Sequence, residues 1–302
     1  STDMGKPIRE SISEIEKSIA CCDYYIDSIP SIEQHLIKKN AMKEPLGTIL
    51  GIMPWNFPVW QTIRFLVPTL IAGNTCLIKP APTTYRVTQK LMDFFYNTSS
   101  IVVDQCIPTN SNCEELIKHP HIAGVSLTGS VNAGKIVGRT ATAHLKPCVL
   151  ELGGSDPYIM FNDANIEKAI ETAIKARFLN NGQTCISAKR FLFQDTLFEK
   201  ALTLFVKKTS QFITYNNPLN NDTTVGPLAN KNGHTNLISQ LKRANISPEN
   251  IAYQHHQPNP QGFYFPATII DATTLSNDNV LLNEEIFGPI AVCQSFTDTR
   301  DA

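Results

Sequence analysis

The sequence lacks the patterns that mark several common classes of protein. Its eight cysteines include no CxxC pair, which argues against a zinc site and against a dense disulfide framework. No apolar run in it approaches the roughly 20 residues of a membrane-spanning helix. With 26 Lys and Arg against 27 Asp and Glu, the net charge is −1, so charge provides no attraction to nucleic acid or to an acidic membrane.

These absences favour a cytoplasmic protein with reduced thiols and a small molecule as its partner, without nucleic acid or membrane. We predict no metal site, since the adjacent histidines His255 and His256 lie in a loop rich in Pro, Gln and Asn. The sequence has no initiator Met and stops at "FTDTRDA", so we expect it to be part of a longer protein. Its 302 residues predict two lobes or one large α/β domain.

Periodicity divides the chain into a leading helix and a series of alternating elements. Apolar residues from Pro7 to about Ser28 recur at spacings of three and four, which predicts an amphipathic helix. Residues 29–45 have a mixed pattern and predict an arm or a linker. After a short strand in "GTILGIM", the predicted order is helix 60–72, strand "NTCLIK", helix 85–96, strand 101–107, helix 113–118, strand 122–127 and a helix to about His144.

A second alternating segment follows residues 145–153. It is predicted to contain helix 165–178, strand "KRFLFQ", helix 196–212, helix 233–243 and strand "PATII". Strands that alternate with helices predict parallel βαβ units. Such sheets bind ligands at the carboxyl ends of their strands.

Two candidate catalytic residues stand in small or glycine-rich surroundings. Cys185 in "NNGQTC" has small, polar neighbours, and a cysteine that is reachable as a thiolate can act as a nucleophile. Glu151 lies between the apolar "CVLEL" and a glycine pair, where an acid can serve as a base. An inert buried thiol and a solvated carboxylate at a strand end are the ordinary structural explanations.

Three further segments carry groups suited to binding. In "PWNFP", the side-chain amide of Asn56 can donate to a developing oxyanion, and Trp55 can pack against a cofactor. The structural alternative is a proline-bounded turn with a tryptophan in the core. In "LTGSVNAGK", Gly129 and Ser130 begin a helix after a strand, an arrangement that suits a phosphate. Neither GxGxxG nor a P-loop is present, and "EEIFGPI" taken alone is typical of a surface turn.

Taken together and in this order, "PWNFP", "IKP", "LTGS", "ELGG", "NNGQTC" and "EEIFGP" resemble the aldehyde dehydrogenase superfamily. The resemblance covers essentially all 302 residues. The segments "STDMGKP", "PLGTILGIMPWNFPVW" and "VLELGGSDP" resemble especially the bacterial succinate-semialdehyde dehydrogenase branch. The fold it implies is α/β, with a parallel-sheet dinucleotide-binding domain (1–28 and 46–153), an arm or linker (29–45) and an α/β catalytic domain (154–302).

The resemblance implies an enzyme that oxidises an aldehyde to an acid with NAD or NADP, converting succinate semialdehyde to succinate. Cys185 would attack the aldehyde to give a thiohemiacetal, and Asn56 with the amide of Cys185 would hold its oxyanion. After hydride transfer, Glu151 would activate the water that hydrolyses the thioester. This order is chemically sound because hydride leaves only after addition has made the carbon tetrahedral.

The resemblance also assigns binding residues. Arg64, eight residues after Asn56, is similar to an arginine that binds the distal carboxylate of the substrate, and a guanidinium suits a carboxylate. An arginine on an exposed helix face is the alternative. The implied cofactor contacts are Lys79 at the adenosine ribose, Trp55 and Ser130 at the pyrophosphate with Gly129 beside them, Thr128 and Leu152 on the nicotinamide side, Glu285 at the nicotinamide ribose, and Phe287 packed beside Glu285.

The chain departs from the family pattern at two places. Several members carry an acid three residues after the ribose lysine, whereas this chain has Pro82, so the choice between NAD and NADP stays open. The glycine-proline-glycine loop expected near residue 107 is replaced by "IPTNSNC", which predicts altered dinucleotide binding. Family members are also longer at both ends, and their C-terminal part completes the substrate pocket and carries the strand that forms the oligomer. We therefore expect that the parent protein is a homo-oligomer and that the 302-residue chain alone can be inactive.

Three alternatives stay open at the level of sequence. The first is a dehydrogenase of a neutral or cationic aldehyde, for which Arg64 would not affect the KM for succinate semialdehyde. The second is a non-catalytic dinucleotide-binding protein of the same fold, which the changed loop favours and the retention of Cys185, Glu151 and Asn56 opposes. The third is a cofactor-free thiol esterase that uses Cys185 and Glu151.

Overall fold

The computed structural model describes residues 1–38, 41–98, 103–105, 112–256 and 262–302, which form two compact units. The first unit is Ser11–Leu152, and the second is Ser1–Glu10 together with Gly153–Ala302. The division predicted from the sequence placed residues 1–28 with the dinucleotide-binding domain, whereas the first ten residues belong to the second unit. They are held there by hydrogen bonds such as that from Ile8 N to Pro218 O, 2.8 Å long.

The leading helix is longer than predicted. Helix α1 spans Ile8–Leu36 instead of ending near Ser28, and the short strands β1 (Ile37–Lys38) and β2 (Ala41–Met42) follow as an antiparallel pair. Residues 29–36, predicted as the start of an arm or linker, are therefore helical. Pro30 lies inside the helix, and a proline disturbs the helical pattern because it lacks an N–H and crowds the preceding turn.

A parallel sheet organises the first unit. Its strands lie in the order β5-β4-β3-β6-β7, and every pairing is parallel, so the predicted α/β architecture is confirmed. The elements in chain order are β3 (Thr48–Ile52), α2 (Pro58–Ile71), β4 (Thr75–Lys79), α3 (Tyr85–Thr98), β5 (Val103–Gln105), α4 (Cys113–Lys118), β6 (Ile122–Thr128), α5 (Val131–Ala143) and β7 (Cys148–Glu151).

Each face of this sheet is covered by helices. Leu66 of α2 and Met92 of α3 pack with Ile78 of the sheet in one buried cluster. Ile117 of α4 and Val137 of α5 belong to a second buried cluster with other strand residues. Strands buried on both faces carry continuous apolar runs, as in "TCLIK".

The second unit also has a mixed α/β core. Its sheet has the order β10-β11-β12-β9-β8, in which β10 runs antiparallel to β11 and the other pairs are parallel. The elements are β8 (Pro157–Met160), α6 (Ile166–Phe178), β9 (Arg190–Gln194), α7 (Phe198–Phe212), α8 (Lys231–Ala244), β10 (Ile251–Gln254), β11 (Thr268–Asp271), α9 (Val280–Asn283) and β12 (Ile290–Phe296). Phenylalanines of α6, β9 and α7 fill the core beneath this sheet.

Strands β8, β10 and β12 were not predicted from the sequence. Strand β8 is an edge strand that begins with Pro157, a position where a proline is tolerated. The predicted strand 101–107 appears as β5 within the described residues, and most of the "IPTNSNC" segment lies outside them. None of the helices in the described ranges is both long enough and apolar enough to cross a membrane.

Candidate active site

In the sheet of the first unit, the strand order reverses at β3. The chain adds β4 and β5 on one side of β3 and then places β6 and β7 on the other side. In an open parallel sheet, such a reversal leaves a crevice at the carboxyl ends of the two strands where it occurs. Residues that follow β3, β4, β6 and β7 are therefore positioned to bind a ligand at this edge.

Trp55 and Asn56 lie in the loop between β3 and helix α2. Asn56 is 5% exposed, and Trp55 is half-buried. Glu14 of α1 anchors the helix that follows, since its Oε1 accepts hydrogen bonds from Val59 N at 2.8 Å and Trp60 N at 3.0 Å. A carboxylate is favoured at a helix N-terminus, where backbone amides are free to donate, and here it fixes the start of α2 directly after the candidate loop.

Three other candidates occupy the same edge of the sheet. Lys79 is the last residue of β4 and is buried, with 4% of its surface exposed. Thr128 ends β6, and Gly129 and Ser130 connect β6 to α5. Ser130 is the N-cap residue of α5, because its Oγ accepts from Ala133 N at 3.2 Å. The free amides at the start of this helix are donors suited to a phosphate.

Glu151 and Arg64 form an ion pair within the first unit. Arg64 lies in the second turn of α2, and its Nη2 is 3.3 Å from Oε1 of Glu151 at the end of β7. Both side chains line a cleft of about 450 Å³. Leu152, the next residue, turns instead onto α5, where its side chain packs against Gly134.

The segment before Cys185 has an unusual backbone. Asn180, Asn181 and Gly182 have φ values of 53°, 59° and 72°, so three consecutive residues are left-handed. Asparagine and glycine are the residues that adopt this conformation most easily. A side chain at Gly182 would also lie 2.3 Å from the carbonyl oxygen of Gly288. The "NNG" triplet is thus required by the backbone path that leads to Cys185.

Neighbouring segments of the second unit hold this left-handed turn in place. Asn181 Nδ2 donates to Gly5 O at 3.0 Å and to Pro227 O at 2.9 Å. Asn180 N donates to Glu10 Oε2 at 2.6 Å. Burial raises the pKa of Glu10 to about 7, although the Asn180 amide and the Lys6 ammonium lower it.

Cys185 itself lies in the turn that follows. It is partly exposed, whereas Cys76 and Cys293 are buried, and burial raises the pKa of the Cys76 thiol to about 12. The carbonyl oxygen of Cys185 accepts a hydrogen bond from Lys189 Nζ at 2.6 Å. Among these three thiols, Cys185 has the accessibility that a nucleophile needs.

A fully buried arginine connects the Cys185 segment with the "EEIFGP" segment. Arg177 donates to the carbonyl oxygens of Gly182 and Ala188 on one side and to those of Ile286 and Gly288 on the other. Burial lowers the pKa of its guanidinium, and the carboxylate of Glu285 raises it.

Glu285 is held close to the same buried groups. Its Oε1 is 3.7 Å from Lys189 Nζ, and Phe287 is half-buried two residues later. Burial raises the pKa of the Glu285 carboxyl, whereas Lys189, the Gly154 amide and Arg177 lower it. Within the described residues, the buried Oε1 has no hydrogen-bond partner.

Four features of the residues present fit a dinucleotide. The first unit has the sheet reversal of a dinucleotide-binding fold, and a capped helix begins directly after β6. In the second unit, the Glu285 side chain is 25% exposed, so its carboxylate is accessible to a sugar hydroxyl. At Pro82, which begins a short 3-10 helix, there is no carboxylate to repel a 2′-phosphate.

Sequence reasoning did not identify Glu10, Glu14, Arg177 or Lys189. The sequence pattern could have indicated one of them, because Arg177 follows Ala173 and Ile174 on the buried face of α6. A cation on an apolar helix face is unusual unless it has buried partners. The other three became recognisable only from tertiary contacts. In the described residues, no cluster of three or more His, Cys, Asp or Glu side chains is arranged to hold a metal ion.

The reversed parallel sheet and the accessible cysteine on a left-handed turn define a two-unit α/β protein of the dinucleotide-binding class. Comparison with known proteins agrees with this class. The model of the aldehyde dehydrogenase family matches residues 1–302. The chain belongs to the aldehyde dehydrogenase family.

Two relatives illustrate the similarity. The chain is 35% identical to the NAD(P)+ succinate semialdehyde dehydrogenase Sad of Escherichia coli K12, over 99% of this chain and 66% of that protein. It is 34% identical to the NADP+ succinate-semialdehyde dehydrogenase of Mycobacterium leprae, over 99% of this chain and 67% of the relative. The chain therefore spans about two thirds of the length of these relatives.

A solved structure gives the same result for the fold. Succinic semialdehyde dehydrogenase from Streptococcus pyogenes, in complex with NADP+, superposes with a TM-score of 0.89 at 27% identity. The match covers 98% of this chain and 66% of that one. The predicted family resemblance is confirmed by both kinds of comparison.

Proposed function

We propose that the protein containing this chain is an NAD(P)-dependent aldehyde dehydrogenase that oxidises succinate semialdehyde to succinate. The observation that carries this proposal is the position of the candidate residues in the first unit. Lys79 and Glu151 end strands β4 and β7, and Asn56 and Ser130 come shortly after strands β3 and β6, so all four lie at one edge of the sheet. That edge is where the fold class binds its ligands.

In the proposed reaction, Cys185 is the nucleophile. Its thiolate adds to the aldehyde carbon, and the carbonyl oxygen becomes an oxyanion that the Asn56 side-chain amide and the Cys185 backbone amide stabilise. A bound NAD(P)+ would supply the acceptor for the hydride of that carbon, and Cys185 would then carry the acyl group as a thioester. Glu151 then removes a proton from water, the resulting hydroxide attacks the thioester, and the carboxylic acid leaves as Cys185 regains its thiolate.

The proposed cofactor contacts are those implied by the family resemblance. Lys79 would bind the adenosine ribose, and the start of α5 at Gly129 and Ser130 would bind the pyrophosphate together with Trp55. Glu285 would bind the nicotinamide ribose, with Phe287 beside it, and Thr128 and Leu152 would contact the nicotinamide side.

Arg64 is the proposed determinant of substrate class. Its side chain is 44% exposed, and its guanidinium is already paired with a carboxylate, that of Glu151. A planar guanidinium binds a second carboxylate with the same geometry, so an aldehyde with a distal carboxylate is the best match. The names of the relatives from Escherichia coli and Mycobacterium leprae support this assignment.

Formation of NAD(P)H from succinate semialdehyde tests the function. We expect absorbance of the reduced cofactor to increase with wild-type protein and not with Cys185→Ala, while Cys21→Ala, which alters another partly exposed thiol, retains activity. NAD and NADP are assayed separately, and butanal serves as the neutral aldehyde. Absence of turnover with every aldehyde, combined with tight cofactor binding, would support a non-catalytic dinucleotide-binding protein. Ester hydrolysis without nucleotide, and no oxidation, would support a thiol esterase.

Location and assembly are separate parts of the proposal. The described cysteines are free, which suits a reducing cytoplasm, and fractionation of cells with an antibody against the chain tests this. The homo-oligomer expected from the family stays a prediction, and light scattering after size exclusion measures it directly.

A further inference from the structure

Lys189 is a buried cation that the proposed reaction does not use. Its side chain has 0% of its surface exposed. Its Nζ donates to the carbonyl oxygen of Cys185 at 2.6 Å and lies 3.7 Å from Oε1 of Glu285. Removing an ammonium from water is costly, so a lysine in this position depends on its partners for compensation.

Lys189 lies near one other cation, Arg177, and near the acids Glu285 and Asp156. Burial lowers the pKa of its ammonium, and Arg177 lowers it further, whereas Glu285, Asp156 and Cys185 raise it. Arg177 is occupied by backbone carbonyls on both of the segments that it connects. Lys189 therefore provides a positive charge that lies next to both the candidate nucleophile and the candidate ribose-binding acid.

We propose that Lys189 is a positioning residue that fixes the Cys185 peptide and orients the carboxylate of Glu285 toward the cofactor. An ammonium has three donors on one atom, so one N–H can bind the Cys185 carbonyl while the positive charge holds the Glu285 carboxylate. The roles of Cys185 and Glu285 in this inference rest on the proposed function. The role of Lys189 goes beyond it, since its side chain has 0% of its surface exposed and so offers no face to a substrate or cofactor.

The geometry predicts two separable effects when the ammonium is removed. Without it, Glu285 becomes a partly buried carboxylate without its cation and loses its orientation, so cofactor binding weakens. The peptide of Cys185 also loses the ammonium that its carbonyl oxygen binds, so the Cys185 side chain is no longer held in position and reacts more slowly with an electrophile.

Lys189→Met tests both effects, because methionine keeps the length of the side chain and removes its donors and charge. The affinity for NADP+ is measured by calorimetry, and alkylation of Cys185 by iodoacetamide is followed by peptide mass spectrometry with Cys148 as an internal reference. We expect each to fall about tenfold, equivalent to about 1.4 kcal/mol. Lys200→Met, which removes an exposed lysine of α7, should change neither.

Glu285→Gln separates the two effects and serves if Lys189→Met does not fold. It should weaken NADP+ binding about tenfold while Cys185 alkylation stays within about twofold of wild type, since Lys189 still donates to the Cys185 carbonyl. In the Glu285→Gln background, Lys189→Met should cause little further loss of NADP+ affinity. A purely structural lysine would instead lower the melting temperature without this dependence on Glu285.

Several results would overturn the inference. Lys189→Met with wild-type affinity for NADP+ and a wild-type rate of Cys185 alkylation would do so. So would fully additive losses of NADP+ affinity from Lys189→Met and Glu285→Gln, or slow alkylation of Cys185 in Glu285→Gln. If wild-type protein binds neither NAD+ nor NADP+, the proposed function fails, and with it the Glu285 part of the inference. Alkylation of Cys185 still tests the Lys189–Cys185 part in that case.

Discussion

Nη2 of Arg64 lies 3.3 Å from Oε1 of Glu151, so the proposed substrate-binding cation and the proposed general base form an ion pair. The two side chains are 44% and 50% exposed, and exposed pairs contribute only about 0–1 kcal/mol. Another carboxylate can therefore replace Glu151 at Arg64 at low cost. In the proposed enzyme, a substrate with a distal carboxylate would occupy Arg64 and leave Glu151 free to activate water.

Arg64→Met should discriminate between acidic and neutral aldehydes. Loss of a charge-assisted contact of about 1.5–3 kcal/mol should raise the KM for succinate semialdehyde by tenfold or more, whereas kcat/KM for butanal should fall far less. Steady-state kinetics with both aldehydes measures the difference. Arg86→Met removes an exposed arginine of α3 and is the matched control. Equal losses with the two aldehydes would exclude Arg64 as the carboxylate ligand.

Glu10 should make stability depend on pH. Burial raises its pKa from the ordinary value of 4.5 to about 7, so between these pH values the folded chain binds a proton that the unfolded chain has lost. The stabilisation is present below about pH 4.5 and is lost as pH rises through about 7, by about 3 kcal/mol in total.

Thermal melts from pH 5 to pH 8 measure this dependence. Wild type should lose stability relative to Glu10→Gln as the pH rises, because the glutamine does not ionise. Glu199→Gln, at an exposed position of α7, should follow the wild-type profile. Parallel pH profiles for wild type and Glu10→Gln would show that Glu10 titrates normally.

Arg177→Met should destabilise the second unit strongly. The guanidinium is fully buried, and its loss leaves carbonyls of Gly182, Ile286 and Gly288 without their donor. Breaking buried charged contacts of this type costs about 3–5 kcal/mol. Urea unfolding measures the change, with Lys175→Met, at an exposed position of the same helix, as the control. A loss below about 1 kcal/mol would contradict the role assigned to Arg177.

Pro82→Glu should shift the cofactor preference toward NAD. A carboxylate at this position would repel the 2′-phosphate of NADP and accept a hydrogen bond from the 2′-hydroxyl of NAD. We expect NADP+ to bind about tenfold more weakly and NAD+ to bind at least as well, as measured by calorimetry. Pro82→Gln controls for the loss of proline. If both variants change the two affinities equally, residue 82 does not face the adenosine ribose.

The sequence predicts well those elements whose signal is local. Helix α4 was predicted at 113–118, where the structure has it, because a short helix after a turn is visible in a few residues. The predicted end of helix α1 comes too early, because Pro30 disturbs the periodicity of a helix that continues to Leu36. Strands β8 and β12 lack such a signal, since each is defined by pairing with β9, and β12 is about a hundred residues away from β9 in sequence.

The same distinction applies to the candidate site. Cys185, Glu151 and Asn56 stand in short motifs whose order along the chain resembles the family, so the sequence identifies them as candidates, and their catalytic roles stay predictions. Lys189 could not, because a lysine in "SAKRF" resembles any surface lysine until tertiary packing buries it. Its ion pair with Glu285 joins residues almost a hundred positions apart, and no local pattern records such a contact.

The central claim is that Cys185 forms the thioester intermediate. In Glu151→Gln the proposed base is removed, so the acylated enzyme should accumulate after one round of oxidation. Peptide mass spectrometry after mixing this variant with succinate semialdehyde and NAD(P)+ should find a succinyl group on the peptide that contains Cys185, and none when the nucleotide is omitted. A succinyl group on another cysteine, or NAD(P)H formation with Cys185 unmodified throughout, would contradict the account.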